Sequence, residues 1–409
     1  MEYRFLMKFG FKSYNSWDPL KKVLIGSTLP KDFFADFPDK KVADAMTKVN
    51  EETREDLDYF AKVLEESYDV QVYRMPEACV LANKRYNSVA EFIESNGYIP
   101  KPFNAPRDDQ IIFGEHMITG TTSPVHRIFH GTKEDTHNIF DEHAPWSGCN
   151  DLIDIADTQQ ELNIFEAVNK PNFTMSWPSI MRAGKDIIID IHDFNGPTRH
   201  LAESWVDKFN EKFGYDFRIN TTTMGGHTDA VMALIKPGLI LSHVNVNKYE
   251  ETFPGWDIIK IQRAHNDHTT AWNDFRISEK DKWRGSKLKP VADYWIAGEE
   301  HNVALNKFID LYMHPSVGSC FETNFDVNCL SIDENTVVAS GPSKVLEDKL
   351  GEHKVDVVTC PMRHRFFWDG GLHCATVDLY REGEMQNYFP ERTKGINFGR
   401  VWGDNELRR

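Results

Sequence analysis

The feature that most constrains how this chain can fold is a recurrent pattern: an apolar run, a tight turn, then a second apolar run. It occurs as Gln110-Ile-Ile-Phe-Gly-Glu-His-Met-Ile and as Ile180-Met-Arg-Ala-Gly184-Lys-Asp-Ile-Ile-Ile. It recurs as Val231-Met-Ala-Leu-Ile-Lys-Pro237-Gly238-Leu-Ile-Leu and as Cys329-Leu-Ser-Ile-Asp-Glu-Asn-Thr-Val-Val. Each reads as a β-hairpin turning on Gly, Pro-Gly or Asp-Glu-Asn. A lone strand, Lys22-Val-Leu-Ile-Gly26, is read as opening a fifth unit that the C-terminal Ala375-Thr-Val-Asp-Leu-Tyr completes.

Helices separate these units. Met46, Val49, Leu57, Phe60 and Leu64 fall on one face of a long charged helix, and Leu201, Trp205, Phe209 and Phe213 form a second stripe. Pro197-Thr198 opens the second helix and Gly214 closes it. A third is expected over Ser343–Leu350, with Ser343 as N-cap and Gly351 past its end. Hairpin-plus-helix units in an undivided chain predict a closed, pseudo-symmetric α/β body, a single domain over residues 1–409. From about Gln262 to Cys320 the pattern lapses into a polar stretch containing Trp272, Trp283 and Trp295. That segment is read as an elaboration over one face.

Composition narrows the function classes. No window approaches 18 uninterrupted apolar residues, so no transmembrane helix is expected. The first residues lack a signal-peptide layout, and the six cysteines are irregularly spaced with no Cys-x-x-Cys. Both point to a reducing compartment, with the cytoplasm expected. A net charge of −16 with no basic block argues against a nucleic-acid partner and is compatible with a cationic small substrate.

Two short stretches carry the chemistry: Met-Gly-Gly-His227-Thr-Asp229 and Gly370-Gly371-Leu-His373-Cys374. Cys374 reads either as a buried small hydrophobe or as a nucleophile. Gly370-Gly371 favours the nucleophile, since two glycines let the backbone turn sharply and approach a ligand. His227 and Asp229, two apart at the mouth of a strand, present both side chains to one ligand. Asp108, in Arg107-Asp108-Asp109, reads either as a turn former or as a carboxylate gripping a guanidinium through two parallel hydrogen bonds.

Several segments resemble the amidinotransferases, a group within the guanidine-modifying superfamily that includes the arginine:glycine and inosamine-phosphate enzymes. They are Tyr14-Asn15-Ser16-Trp17-Asp18-Pro19-Leu20, Arg107-Asp108, and Met181-Arg182-Ala183-Gly184-Lys185-Asp186-Ile187. The series continues with His227-x-Asp229 and ends with Gly371-Leu-His373-Cys374-Ala-Thr-Val-Asp378-Leu-Tyr-Arg381-x-Gly383, in the family's order over roughly residues 13 to 390.

The resemblance implies a five-bladed α/β propeller of ββαβ modules with its site at the centre. It implies that Cys374 attacks the guanidino carbon of a donor such as arginine, that ornithine leaves, and that an amine acceptor takes the amidino group. His227 would move the protons, while Asp108 and Asp229 hold the guanidinium. No metal or organic cofactor is implied, and the chain is expected to act on small molecules, possible self-association aside. Two positions depart from the family. Ser176 stands where a carboxylate usually pairs with the catalytic histidine, and is grouped with Asp108 and Asp229 as a substrate-site residue. Val246 stands where glycine-using members carry an arginine, which argues against glycine as acceptor. Alternatives left open are an arginine deiminase-like hydrolase and a non-catalytic guanidino-compound binder.

Overall fold

A computed structural model describes residues 10–74, 88–97, 99, 105–108, 110–119, 152–154, 177–191, 199–223, 227–243, 249–261, 296, 299, 302–313, 317 and 325–400. The hairpins expected from the sequence form where alternating apolar runs meet Gly-centred turns: β3 (Gln110–Phe113) with β4 (His116–Thr119), and β6 (Ile180–Ala183) with β7 (Asp186–Asp190). The others are β9 (Met232–Lys236) with β10 (Leu239–His243), and β12 (Leu330–Asp333) with β13 (Thr336–Ala339). Each pair is antiparallel, and each second strand receives a parallel third: β5 (Leu152–Asp154), β8 (Arg218–Thr223), β11 (Asp257–Ile261) and β14 (Asp356–Thr359).

The fifth unit joins the two ends of the chain. C-terminal β15 (Thr376–Arg381) pairs antiparallel with β1 (Leu20–Ile25), which pairs in parallel with β2 (Gln71–Arg74). The result is five sheets, four of three strands and one widened to four by β16 (Asn397–Arg400). Neighbouring sheets touch in turn around a ring: β15 lies against β3, β6 against the turn before β9, and β1 against β12. The architecture is the five-bladed α/β propeller that the resemblance implied.

The helices lie where a third strand must return to run parallel, a connection too long for a tight turn. Helix α1 (Lys40–Tyr68) links β1 to β2 and buries Met46, Val49, Leu57, Phe60 and Leu64, as the sequence stripe predicts. Asp39 caps it by accepting from the Lys41 N–H at 3.0 Å. Helix α2 (Val89–Asn96) follows, and α3 (Arg199–Phe213) buries Trp205 and Phe209 before Gly214, whose φ is +76°. Pro197 and Thr198 lie outside the described residues. After the short α4 (Tyr249–Thr252), α5 (Val303–Tyr312) belongs to the 262–320 segment, most of which also lies outside the described residues. Its Leu305, Phe308 and Ile309 join Met46 and Val49 of α1 in one apolar cluster. Helix α6 (Lys344–Glu352) begins at Ser343 as expected, but runs through Gly351 and ends at His353. The chain turns at Lys354, whose φ of +59° supplies the left-handed step assigned to Gly351. Among the described residues, no helix is long and apolar enough to cross a membrane.

The apolar core is divided among the blade interfaces in five clusters. The axis of the ring is polar. Asp378 of β15, 2 % exposed, accepts from Arg107 at 2.8 Å, Arg182 at 2.6 Å, Arg381 at 2.9 Å and Ser13 at 2.7 Å. Arg381 also donates to the carbonyls of Asp18 and Ser331, and Arg107 to that of His373. This hub reaches four of the five blades. Burial raises the Asp378 carboxyl, but the Arg182, Arg107 and Arg381 charges outweigh it and hold it well below the usual carboxylate range. Three guanidinium groups against one carboxylate leave the hub net positive.

Gly184 shows why the Arg-Ala-Gly segment takes a glycine. Its φ is +62°, and a Cβ there would meet the Gln386 carbonyl oxygen.

Candidate active site

Three short 3₁₀ turns and one tight loop place the site residues just ahead of a blade's first strand. Pro106–Asp108 precedes β3, Trp177–Ser179 precedes β6, Thr228–Ala230 precedes β9, and Gly370–Cys374 precedes β15. Because each blade repeats the layout, these pre-strand turns converge at one end of the ring axis. The Thr228 hydroxyl donates to the Ser179 carbonyl at 3.0 Å, and the Arg107 N–H to the Cys374 carbonyl at 3.4 Å, so adjacent turns are tied directly.

Cys374 and Asp229 meet there. Cys374 is 2 % exposed and its Sγ lies 3.4 Å from Asp229 Oδ2. Asp229 is 1 % exposed; Oδ2 accepts from His373 Nδ1 at 2.7 Å, while Oδ1 has no hydrogen-bond partner among the described residues. Burial raises the Asp229 carboxyl, but the His373 hydrogen bond and the nearby His373, His227 and Arg107 groups bring it below its ordinary value. Burial lowers His373, Arg107 lowers it further, and together they outweigh the pull of Asp229. The pair is therefore a neutral imidazole donating from Nδ1–H to a carboxylate, the tautomer a carboxylate acceptor requires. The positive hub accounts for this in part, since it favours the anion and disfavours the imidazolium.

The histidine–carboxylate pair is a finding the sequence reading did not contain, since it left His373 without a role. His227 is half-buried at the head of the Thr228–Ala230 turn, close enough for its charge to bear on Asp229. Asp108 is half-buried in its turn, and its side chain makes no hydrogen bond or ion pair among the described residues. Ser176 and Val246 lie outside the described residues. Arg107, read only as a neighbour of Asp108, is a buried member of the hub.

Gly370-Gly371 requires a correction. Neither glycine has a positive φ; the left-handed residue of that loop is Asp369, at +56°. Gly371 is needed for close approach of another kind, because a Cβ would come within 2.7 Å of Asn328 Oδ1. Two narrow cavities lie at the site, one lined by Cys374 and the other by Asp229 and His373. The second runs along the axis past Met181, Asp229, His373 and Arg381, and the first lies among Thr53, Asp56, His364, Trp368 and Cys374. Burial pushes the other described cysteines, Cys329 and Cys360, up to about 12, which leaves them poor nucleophiles.

The chain is 23% identical to the L-arginine:L-lysine amidinotransferase of Pseudomonas savastanoi pv. phaseolicola, over 92% of its own length and 96% of that protein's. It is 21% identical to the mitochondrial glycine amidinotransferase of Gallus gallus, over 51% of this chain and 39% of that one. Among solved structures it resembles SxtG, an amidinotransferase of Microseira wollei, with a TM-score of 0.56 and 17% identity over 93% of this chain and 99% of that one. It also resembles the inosamine-phosphate amidinotransferase StrB1 of Streptomyces griseus, with a TM-score of 0.58 and 15% identity over 92% of this chain and 99% of that one. No family model matches the chain. The five-bladed fold is thus shared with these amidinotransferase structures. In sequence as well as fold, the chain resembles the amidinotransferases.

Proposed function

We propose that the protein is an amidinotransferase that moves the amidino group of a guanidino donor, arginine, to an amine acceptor through a covalent intermediate on Cys374. The observation that carries this reading is the Asp229–Cys374 pair. One carboxylate oxygen, Oδ1, is buried with no hydrogen-bond partner among the described residues, and the other lies 3.4 Å from Sγ. A guanidinium held by that carboxylate, with Asp108 as a second grip, would present its carbon to the sulfur.

A free thiol, of pKa about 8.5, is mostly protonated at neutral pH. The guanidinium charge favours the thiolate. Sγ attacks the guanidino carbon, a C–S bond forms and the C–N bond to the donor amine breaks. The amine leaves with a proton from His227, giving ornithine when the donor is arginine. The acceptor amine, deprotonated by His227, then attacks the same carbon and displaces the sulfur. We read residues 1–409 as one catalytic domain, working in a reducing, cytoplasmic compartment where Cys374 stays a free thiol.

Arginine is the donor in the name of the Pseudomonas relative, and lysine is its acceptor. Lysine is therefore the first acceptor to offer here, and Val246 argues against glycine. The test is intact-protein mass spectrometry after incubation with arginine alone, for wild type and Cys374→Ala. An amidino-sized adduct on wild type only, with ornithine released, supports the reading. Citrulline in place of ornithine would assign the protein to hydrolysis, and no adduct with any guanidino donor would remove the covalent route.

A further inference from the structure

In four of the five blades the first strand is preceded by a polar or thiol residue of the site. Cys374 stands two residues ahead of β15, Asp108 two ahead of β3 and Asp229 three ahead of β9. The blade of β12 to β14 places Asn328 there, two residues ahead of β12. Resting on the reading of Cys374 as nucleophile, we infer that Asn328 is the positioning residue for its sulfur, fixing Sγ beside Asp229 and stabilising its thiolate.

Asn328 is fully buried, and its side-chain amide is spent on the site. Nδ2 donates to Cys374 Sγ at 3.0 Å and to the Asp229 carbonyl at 3.2 Å. Oδ1 accepts from the Cys374 N–H at 3.1 Å, and the Asn328 carbonyl accepts from the His373 N–H at 3.3 Å. The amide has one orientation. Its oxygen must face the Cys374 N–H, so its N–H groups face the sulfur and the Asp229 carbonyl. One residue thereby holds the thiol and the backbone leading into it, and ties both to the Asp229 turn.

The sulfur thus lies between two neighbours of opposite preference. Asp229 Oδ2 can only accept, which favours S–H; the Asn328 amide can only donate, which favours the thiolate. A guanidinium bound to Asp229 occupies the acceptor and adds positive charge. The thiol proton then passes to His227, and the Asn328 N–H remains as a donor to the ionised sulfur. Gly371 is shaped to admit this amide, since a Cβ would come within 2.7 Å of Oδ1.

The test is the pH titration of thiolate ultraviolet absorbance in the free enzyme. It is read as the difference between each protein and its Cys374→Ala counterpart, with a thermal melt to check folding. Asn328→Asp keeps the shape and the acceptor for the Cys374 N–H but puts a carboxylate against Sγ. Asn328→Ala removes the donor and serves if the aspartate variant does not fold. The midpoint should rise by about one unit or more in either variant, a roughly tenfold loss of thiolate at a given pH below it. A midpoint unchanged in a variant that melts cooperatively would overturn the inference, because a purely structural asparagine would lower the melt and leave the titration alone. The readout needs no arginine. A shifted midpoint with no adduct on wild type spares Asn328 and removes the donor reading; an adduct with an unmoved midpoint does the reverse.

Discussion

Replacing Asp378 with asparagine takes away a carboxylate that three buried guanidinium groups share, and its size can be worked from the hub. Arg107, Arg182 and Arg381 are 3%, 5% and 2% exposed, and Asp378 is 2% exposed. Removing one partner of a buried ion pair costs about 3–5 kcal/mol, because the remaining charge is left uncompensated. The asparagine keeps the volume and part of the hydrogen bonding, and the arginines keep their carbonyl acceptors. Both place the expectation toward the lower end. Unfolding entropy of about 2.1 cal/mol/K per residue gives about 0.9 kcal/mol/K for this length, so a loss of about 3–4 kcal/mol lowers Tm by roughly 4 °C.

Urea denaturation is the assay, since a non-ionic denaturant does not screen the hub. The pH dependence supplies a second reading. A carboxyl held low on folding contributes stability above its unfolded pKa of about 3.9, and that stability is lost as pH falls through the folded value. Wild type should therefore lose stability steeply below about pH 4, and Asp378→Asn should lose less over the same window. A loss under about 1 kcal/mol at pH 7 with an unchanged m-value would refute the argument. It would mean that the hub's charges are screened or already balanced by their carbonyl partners.

Two further outcomes are expected at the site. His373→Gln removes the imidazole that holds Asp229 low, so the carboxyl rises and the acid limb of adduct formation with arginine moves to higher pH; an unmoved limb would show that the pairing does not set the Asp229 ionisation. Gly371→Ala forces a methyl against Asn328, costing about 1–3 kcal/mol as overpacking, and slows adduct formation more than it lowers the melt; a fully active variant would show that the loop can relax.

Much of the fold is legible in the sequence because its signals are local. A Gly or Pro-Gly turn between alternating apolar runs specifies a hairpin whatever surrounds it, and the five units follow from counting them, the split one included. The misplaced end of the third helix is also local in origin. Gly351 tolerates helical dihedrals, and the left-handed step fell to Lys354. Around the candidate site, the turns that carry Cys374, Asp229 and Asp108 were legible because each precedes a recognisable strand.

The partners were not legible, because each is a meeting of distant residues on different blades. Asp229 takes His373 144 positions away, Cys374 takes Asn328 46 away, and Asp378 takes Arg107 271 away. The chain by itself determined the blades, through local periodicity and turn residues. Only the closure of the ring decided which imidazole meets the carboxylate and which amide meets the sulfur. That closure brings the pre-strand turns to one axis, and no separation along the chain encodes the angle at which they arrive.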